Sequence, residues 1–313
     1  MTPAERARVF AGADGLRAGW SLVLYLLLMA AAVFGIATFM PPGGNTTGTL
    51  TAKDVALQAL PQAAALGIAA LIMRRVERRS LAAYGLRRAH AVADFAIGLV
   101  TGAAMAGLLV AVLWGAGGLA FRGVALHGTA AATAAGAWLG AMLLLAFVEE
   151  FWFRGYLQFT LARGLTGVVR AVRPGLARPN VLGFWLAAAV FSGLFFVLSH
   201  SVIAGETRLG VASVAMAGFV FAYGLYRTGA LWWSIGFHAA WNWSESCLYG
   251  VNDSGSGAQD VVLSFQPHGA AWLSGGSAGP EGSVLVFPVL LATVAPIHAL
   301  FRRRVTSAAS DRR

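Results

Sequence analysis

The sequence predicts an all-α fold, a polytopic membrane helix bundle with about eight transmembrane helices. Three observations predict it. Hydrophobic residues fill 58% of the 313 positions and charged residues only 12%, a balance no water-soluble domain of this length needs. Apolar stretches recur that approach the roughly 20 residues a helix needs to cross a bilayer core. The arginines between them gather in alternate connections, as the positive-inside rule requires of cytoplasmic loops.

The first apolar stretch, Gly19 to Met40, follows Glu5, Arg6 and Arg8. It lacks a short apolar region with a small-residue cleavage site, so it reads as a retained span. Val55 to Met73 and Ala93 to Trp114 follow, with Arg74, Arg75, Arg78, Arg79, Arg87 and Arg88 between them. That connection fits either a helix lying on the inner membrane surface or a solvated basic loop. Ala131 to Leu161 is the fourth stretch, followed by Arg163, Arg170, Arg173 and Arg178. Val181 to Ala204, Leu209 to Tyr226, Ala230 to Tyr249 and Ser283 to Phe301 complete the set, with Arg302 to Arg304 after the last. All these arginine runs fall on one side, which puts both termini in the cytoplasm. The Gly/Ser-rich connection from Gly250 to Gly282 has no Lys or Arg; within it the loop around Asn252 to Gly257 reads as a flexible external connection, and Val261 to Phe265 is too short to span. No fixed-period repeat is present, and residues 1–313 read as one membrane domain with the informative motifs in residues 131–249.

The net charge of +10 does not point to nucleic acid, because the basic residues sit in short runs between apolar stretches rather than along one polar face. Cys247 is the single cysteine, which excludes a disulfide framework and a cysteine metal cluster. Arginine far outnumbers the single lysine, Lys53, and with abundant Ala and Gly this suggests a GC-rich bacterial genome and a bacterial inner membrane.

Ionisable side chains inside apolar spans are costly, so they face a protein interior or a watery cavity and pair there. The fourth stretch carries Glu149, Glu150 and Arg154 in the run Phe-Val-Glu-Glu-Phe-Trp-Phe-Arg. At about 100° per residue Glu150 and Arg154 share a helix face, whereas Glu149 lies about 140° from Arg154. Arg154 can neutralise Glu150. Glu149 is left less directly paired and suited to take a proton from water. A plain helix-stabilising ion pair would not need the second carboxylate. The fifth stretch holds His200 in Phe-Val-Leu-Ser-His, about seven residues past its middle, or about 10 Å towards the outside. The seventh holds His238 and Asn242, which project from one face as i and i+4. Such a pair is able to donate hydrogen bonds to a developing oxyanion, or to serve as interhelical packing. Glu245 lies on a similar face and reads as a supporting residue, not a catalytic one. His90, His127, His268 and His298 fall in loops or at span edges.

Glu-Glu-x-x-x-Arg, Phe-x-x-x-His and His-x-x-x-Asn, in that order, resemble the three motifs of the CPBP family, the CAAX prenyl protease and bacteriocin-processing (Abi) membrane proteins. The resemblance covers about Ala131 to Tyr249 and includes Arg227 to Trp232, which looks like the usual lead-in to the third motif. It implies an eight-helix bundle with a hydrophilic cavity, and hydrolysis of a peptide bond in a membrane-associated protein or peptide. It further implies that Glu149 and His200 activate water, that His238 and Asn242 stabilise the oxyanion, and that Glu150 and Arg154 support them. No cofactor is committed. The alternative is a divalent metal such as zinc on Glu149, His200 and His238.

Two readings of other classes compete. One is a non-catalytic membrane protein that gives bacteriocin self-immunity or scaffolds a partner. The other is an ion-coupled transporter, against which stands the lack of paired Gly/Pro-broken helices in matching halves of the chain. The chain has no Gly-x-Gly-Asp run and no serine evidently paired with a membrane histidine, which disfavours other intramembrane protease chemistries.

Overall fold

The structure is a computed structural model and describes residues 10–12, 15–38, 49–192 and 207–301. Among the described residues the main helices are α1 (Ala18–Ala37), α2 (Ala52–Glu77), α3 (Ala91–Gly115), α4 (Gly128–Glu149), α5 (Gln158–Val172), α6 (Pro179–Val190), α7 (Arg208–Thr228), α8 (Trp232–Trp243) and α9 (Val286–Leu300). A π-helical segment, Glu150–Leu157, joins α4 to α5, so that Gly128–Val172 runs as one long rod of 45 residues. Among the described residues, five helices are long and apolar enough to cross a membrane: α1, α2, α3, this rod and α7. The other three expected spans take different forms. Ala230 to Tyr249 is α8 followed by a π-helical turn, Ser244–Tyr249. Val181 to Ala204 begins as α6, and residues 193–206 lie outside the described residues. Ser283 to Phe301 yields only the shorter α9.

Threonine side chains, Thr51 and Thr207, cap the N-termini of α2 and α7. Thr51 opens α2 through a reciprocal box in which its hydroxyl accepts from the Asp54 N–H at 3.2 Å and its own N–H donates to the Asp54 carboxylate at 2.8 Å. Gly229, at φ 72°, ends α7 in the left-handed conformation. The basic connection after α2 forms no surface helix; α2 runs to Glu77 and only a 3-10 turn, Leu81–Tyr84, follows.

α8 lies at the centre, against α3, α4 and α7. Its contact with α3 is backbone on backbone. A Cβ added at Gly98 would come within 2.3 Å of the Trp233 carbonyl oxygen, one at Gly102 within 2.3 Å of the Phe237 oxygen, and one at Gly236 within 2.4 Å of the Phe95 oxygen. Lipid tails are as apolar as leucine, so helices in a membrane gain from such close van der Waals approach rather than from escaping water, and small residues permit it. Trp233 adds a polar tie across the seam, its indole N–H donating to Thr101 Oγ1 at 3.2 Å.

Large apolar side chains meanwhile point outward, among them Leu27, Phe34, Val100 and Leu291. Their number and size suit acyl chains rather than water. At one end of the bundle the buried Glu77 carboxylate gathers α1, α2 and the rod. Ser21 donates to it at 2.6 Å, Arg163 at 2.8 Å and Tyr156 at 3.1 Å, and the Tyr84 hydroxyl donates as well. Near the C-terminal end of α7, Arg227 donates to the Phe301 and His298 carbonyls and so holds the last helix.

The β structure is slight. Strands β1 (Ala11–Gly12) and β2 (Gly15–Leu16) form one antiparallel pair, and β3 (Thr49–Leu50) runs parallel to β5 (Gly257–Ala258). β4 (Leu119–Val124) pairs antiparallel with β6 (Leu263–Pro267), with a bulge between Phe121 and Gly123. The connection from Gly250 to Gly282 is therefore strapped to two other parts of the chain through strands that follow the loop around Asn252 to Gly257. The segment too short to span became a strand.

The seam yields a test. Gly102→Ala introduces a Cβ where only a rigid carbonyl stands, and is expected to cost about 2–3 kcal/mol. Thermal unfolding in detergent measures it; a midpoint within 1 °C of wild type would show that α3 and α8 do not depend on this approach.

Candidate active site

Glu149 is the last residue of α4 and Glu150 the first of the π-helical segment. A π turn carries i→i+5 hydrogen bonds and is rare, occurring most often at functional sites. Glu150 is fully buried, and so is Arg154 apart from a trace. They form an ion pair of 2.5 Å between Glu150 Oε1 and Arg154 Nη1. The same Oε1 lies 3.0 Å from His238 Nδ1. Glu150 thus binds the rod to α8 through a charge-assisted contact in an apolar interior. Its Oε2 makes no hydrogen bond.

Glu149 differs from its neighbour. Its side chain is 27% exposed and faces a cavity of about 300 Å³. His238 and Asn242, from α8, line the same cavity. Glu149 Oε2 stands 3.7 Å from His238 Nε2. That separation exceeds a direct hydrogen bond and is one over which a bridging water should be considered. The imidazole is clamped between two carboxylates, one buried and one open to the cavity.

Phe221 of α7 completes the setting. Its ring stacks on the His238 imidazole at 5.5 Å between centroids, and the Arg154 guanidinium lies 4.6 Å from the centroid of the same ring. An aromatic face between a cation and an imidazole fixes the orientation of both.

The structure therefore brings Glu149, Glu150, Arg154, His238 and Asn242 into one region. His200 lies outside the described residues. Of the remaining expected positions, Glu245 is fully buried just beyond α8. His298 accompanies Arg227 at the end of α9, with Nδ1 2.7 Å from Arg227 Nη1. The lead-in stretch is structural in this fold: the Leu231 N–H donates to the Gly85 carbonyl at 2.9 Å and the Trp232 indole to the Arg87 carbonyl at 2.6 Å.

Sequence reasoning missed Phe221, Trp241, Asp253 and Glu281, all of which line the cavity. No motif spacing marks them. Phe221 and Trp241 sit in apolar helices where aromatic residues are ordinary, and Asp253 and Glu281 stand in the Gly/Ser-rich connection. The lack of Lys or Arg around the two acids was the sole available signal.

Removing Arg154 leaves Glu150 buried with one partner fewer. Arg154→Ala is expected to cost about 3–5 kcal/mol. The double change Glu150→Gln with Arg154→Met, which removes both charges, should recover part of that. Equal midpoints for wild type and Arg154→Ala in thermal unfolding would contradict the pairing.

Comparison with known proteins adds one match. Residues 131–244 fit the family model described as Rce1-like, type II CAAX prenyl endopeptidase. No curated protein and no solved structure matches the chain. The matched segment, little more than a third of the chain, contains Glu149, Glu150, Arg154, His238 and Asn242, and over it the chain is similar to the Rce1-like, type II CAAX prenyl endopeptidases.

Proposed function

We propose that this protein is a multi-pass membrane endopeptidase that hydrolyses a peptide bond of a membrane-associated protein or peptide within the bilayer. The family match supports a CAAX-type endopeptidase in general. The observation that carries the finer reading is the cavity shared by the Glu149 carboxylate, the His238 imidazole and the Asn242 carboxamide. These are the groups that peptide hydrolysis by activated water requires, a base and donors for the oxyanion.

In the proposed reaction Glu149, with His200 as the motif implies, takes a proton from a water in the cavity. The water oxygen attacks the carbonyl carbon of the scissile bond, and the carbonyl oxygen gains the negative charge. Asn242 Nδ2 and His238 Nε2 donate hydrogen bonds to that oxygen. The C–N bond then breaks, and the proton held by Glu149 passes to the departing nitrogen. The contact between Glu150 and His238 Nδ1 constrains this scheme. With an N–H at Nδ1 directed to Glu150, Nε2 donates only when the ring carries both protons. The imidazolium then balances Glu149 while Arg154 balances Glu150, and the four charges sum to zero. That neutrality suits a site enclosed in apolar surroundings.

A metal-assisted reading has one observation in its favour. Tetrahedral bonds of about 2.0–2.1 Å place neighbouring ligand atoms roughly 3.3 Å apart, close to the 3.7 Å between Glu149 Oε2 and His238 Nε2. Glu150 on Nδ1 also matches the carboxylate that commonly backs a zinc-bound histidine. Glu149, His238 and, by the motif, His200 would hold the ion, which would supply an acidified water.

We place the arginine-rich connections and both termini in the cytoplasm and the 250–282 connection outside, on the charge asymmetry of the loops. We take the bilayer to be a bacterial inner membrane, on composition. The substrate need not be prenylated.

Glu149→Gln keeps the shape of the side chain and removes the base, so cleavage should fall about 10²–10⁴-fold while the folded protein accumulates normally. Asn242→Ala should lower the rate about 10²–10³-fold. New N-termini and accumulated precursors, compared between the membrane proteomes of cells carrying wild type and Glu149→Gln, provide the readout and name the substrate. An unchanged set of N-termini with an intact cellular phenotype would favour a scaffold or immunity protein instead. Treating the purified protein with a zinc chelator separates the two chemistries: activity should persist if the general-base reading holds, and its loss with recovery on adding zinc would replace that reading with the metal-assisted one.

A further inference from the structure

Beside the cavity stands a second polar cluster that the proposed hydrolysis does not use. Glu245, Asp253 and Glu281 each offer a carboxylate oxygen, and the three oxygens lie within 4.8 Å of one another. They arrive from separate places. Glu245 belongs to the π turn Ser244–Tyr249 that continues α8, Asp253 to the loop after it, and Glu281 to the 3-10 turn Pro280–Gly282. Acidic residues often cluster without a ligand, so the cluster alone decides nothing.

Glu245 supplies the independent observation. It is fully buried, and neither of its carboxylate oxygens accepts a well-aligned hydrogen bond, the nearby Trp241 indole N–H being directed to Glu281. Its companions are partly satisfied. Glu281 Oε1 accepts from the Trp241 indole N–H at 3.1 Å and its Oε2 from the Ser254 hydroxyl at 2.8 Å. Asp253 Oδ2 accepts from the Ser246 hydroxyl at 3.3 Å. Unused acceptors on a fully buried carboxylate, next to two further acids, need positive charge nearby.

We propose that Glu245, Asp253 and Glu281 form a divalent cation site that favours Ca²⁺ over Mg²⁺ and fastens the 250–282 connection to the end of the helix bearing His238 and Asn242. Oxygen donors without nitrogen or sulfur are the set that hard cations take. Size separates the two candidates. Ca²⁺, the larger ion, takes 6–8 oxygens at 2.3–2.6 Å in adaptable geometry, which suits carboxylates from a π turn, a loop and a 3-10 turn whose oxygens lie within 4.8 Å of one another, whereas Mg²⁺ demands near-ideal octahedral geometry at 2.0–2.1 Å. Serine hydroxyls 246 and 254 and water fill the remaining positions.

The backbone holds the donors in place. The Val251 N–H donates to the Glu245 carbonyl at 3.0 Å and the Gly255 N–H to the Ala278 carbonyl at 3.1 Å, while Asn252 Nδ2 donates to the Ser277 carbonyl at 2.9 Å. Trp241, which holds Glu281, precedes Asn242 in the chain, so cation binding and the position of the carboxamide are mechanically linked. The connection contains no Lys or Arg to compete for the carboxylates. On the proposed sidedness it faces outside, where sites of this kind bind Ca²⁺ with dissociation constants on the order of 10⁻⁴–10⁻³ M. The site requires no peptidase activity.

The test uses the full chain in detergent, stripped with a chelator and titrated with CaCl₂ or MgCl₂. Unfolding midpoint and ⁴⁵Ca²⁺ retention are both measured. Ca²⁺ at ten times its dissociation constant should raise the midpoint by about 3 °C or more, with Mg²⁺ at equal concentration giving less. Glu245→Gln and Asp253→Asn should each abolish the shift and the retained isotope. Asp260→Asn, a loop charge outside the cluster, and Glu149→Gln, which tests the hydrolysis separately, should keep both. If Glu245→Gln fails to accumulate, Asp253→Asn reports on the same site. No Ca²⁺ binding by wild type, or binding unchanged in Asp253→Asn, overturns the proposal and leaves shared protons holding the three acids together.

Discussion

A carboxylate with no access to water organises this protein. Glu150 is fully buried in an apolar bundle, where an ionised group persists only when opposite charge and hydrogen bonds meet it. Arg154 meets it from one turn along the same rod, and His238 from a different helix. The second contact has the greater consequence, because it fixes which nitrogen of the imidazole faces the cavity. Nδ1 is taken, so Nε2 is turned towards Glu149. The neighbouring acid is left to the cavity, and two adjacent glutamates acquire opposite circumstances from a rotation of one residue around a helix.

That contact exists only because α8 is held against its neighbours with little room to shift. The glycines of the α3 seam allow the two backbones to touch, and Gly224 of α7 lies where a Cβ would stand 2.4 Å from the Trp233 ring. Packing of this kind does the work that burial from water does in a soluble core, since helices already dissolved in lipid gain nothing more by hiding apolar surface. The outward side of the bundle carries large apolar side chains such as Phe34 and Leu291, which a water-soluble bundle would bury, while the interior combines large apolar side chains such as Trp138 and Phe237 with small residues and paired polar groups.

Polar networks mark the two ends of this arrangement. Around Glu77 three hydroxyls and Arg163 satisfy one carboxylate, which ties the first two helices to the rod. Around Glu245, by contrast, acids face acids and a buried carboxylate has acceptors to spare. The first network is closed and stabilises. The second is open, and it is there that the proposed cation would join the connection beside the cavity to the end of α8.

The sequence by itself determined the solvent, the helical class and the five stretches long and apolar enough to cross a membrane, because hydropathy and length are local properties of the chain. It also singled out Glu149, Glu150, Arg154, His238 and Asn242, since the cost of placing ionisable groups in apolar runs is visible without coordinates. Only the tertiary structure decided which of two adjacent glutamates is sealed and which is open, because that depends on where α8 lies relative to the rod. It alone showed that a Gly/Ser-rich connection folds back on the cavity, and that Phe221, Asp253 and Glu281 belong there. Those residues are distant in sequence and ordinary in type; their meaning comes from proximity, which spacing along a chain does not encode.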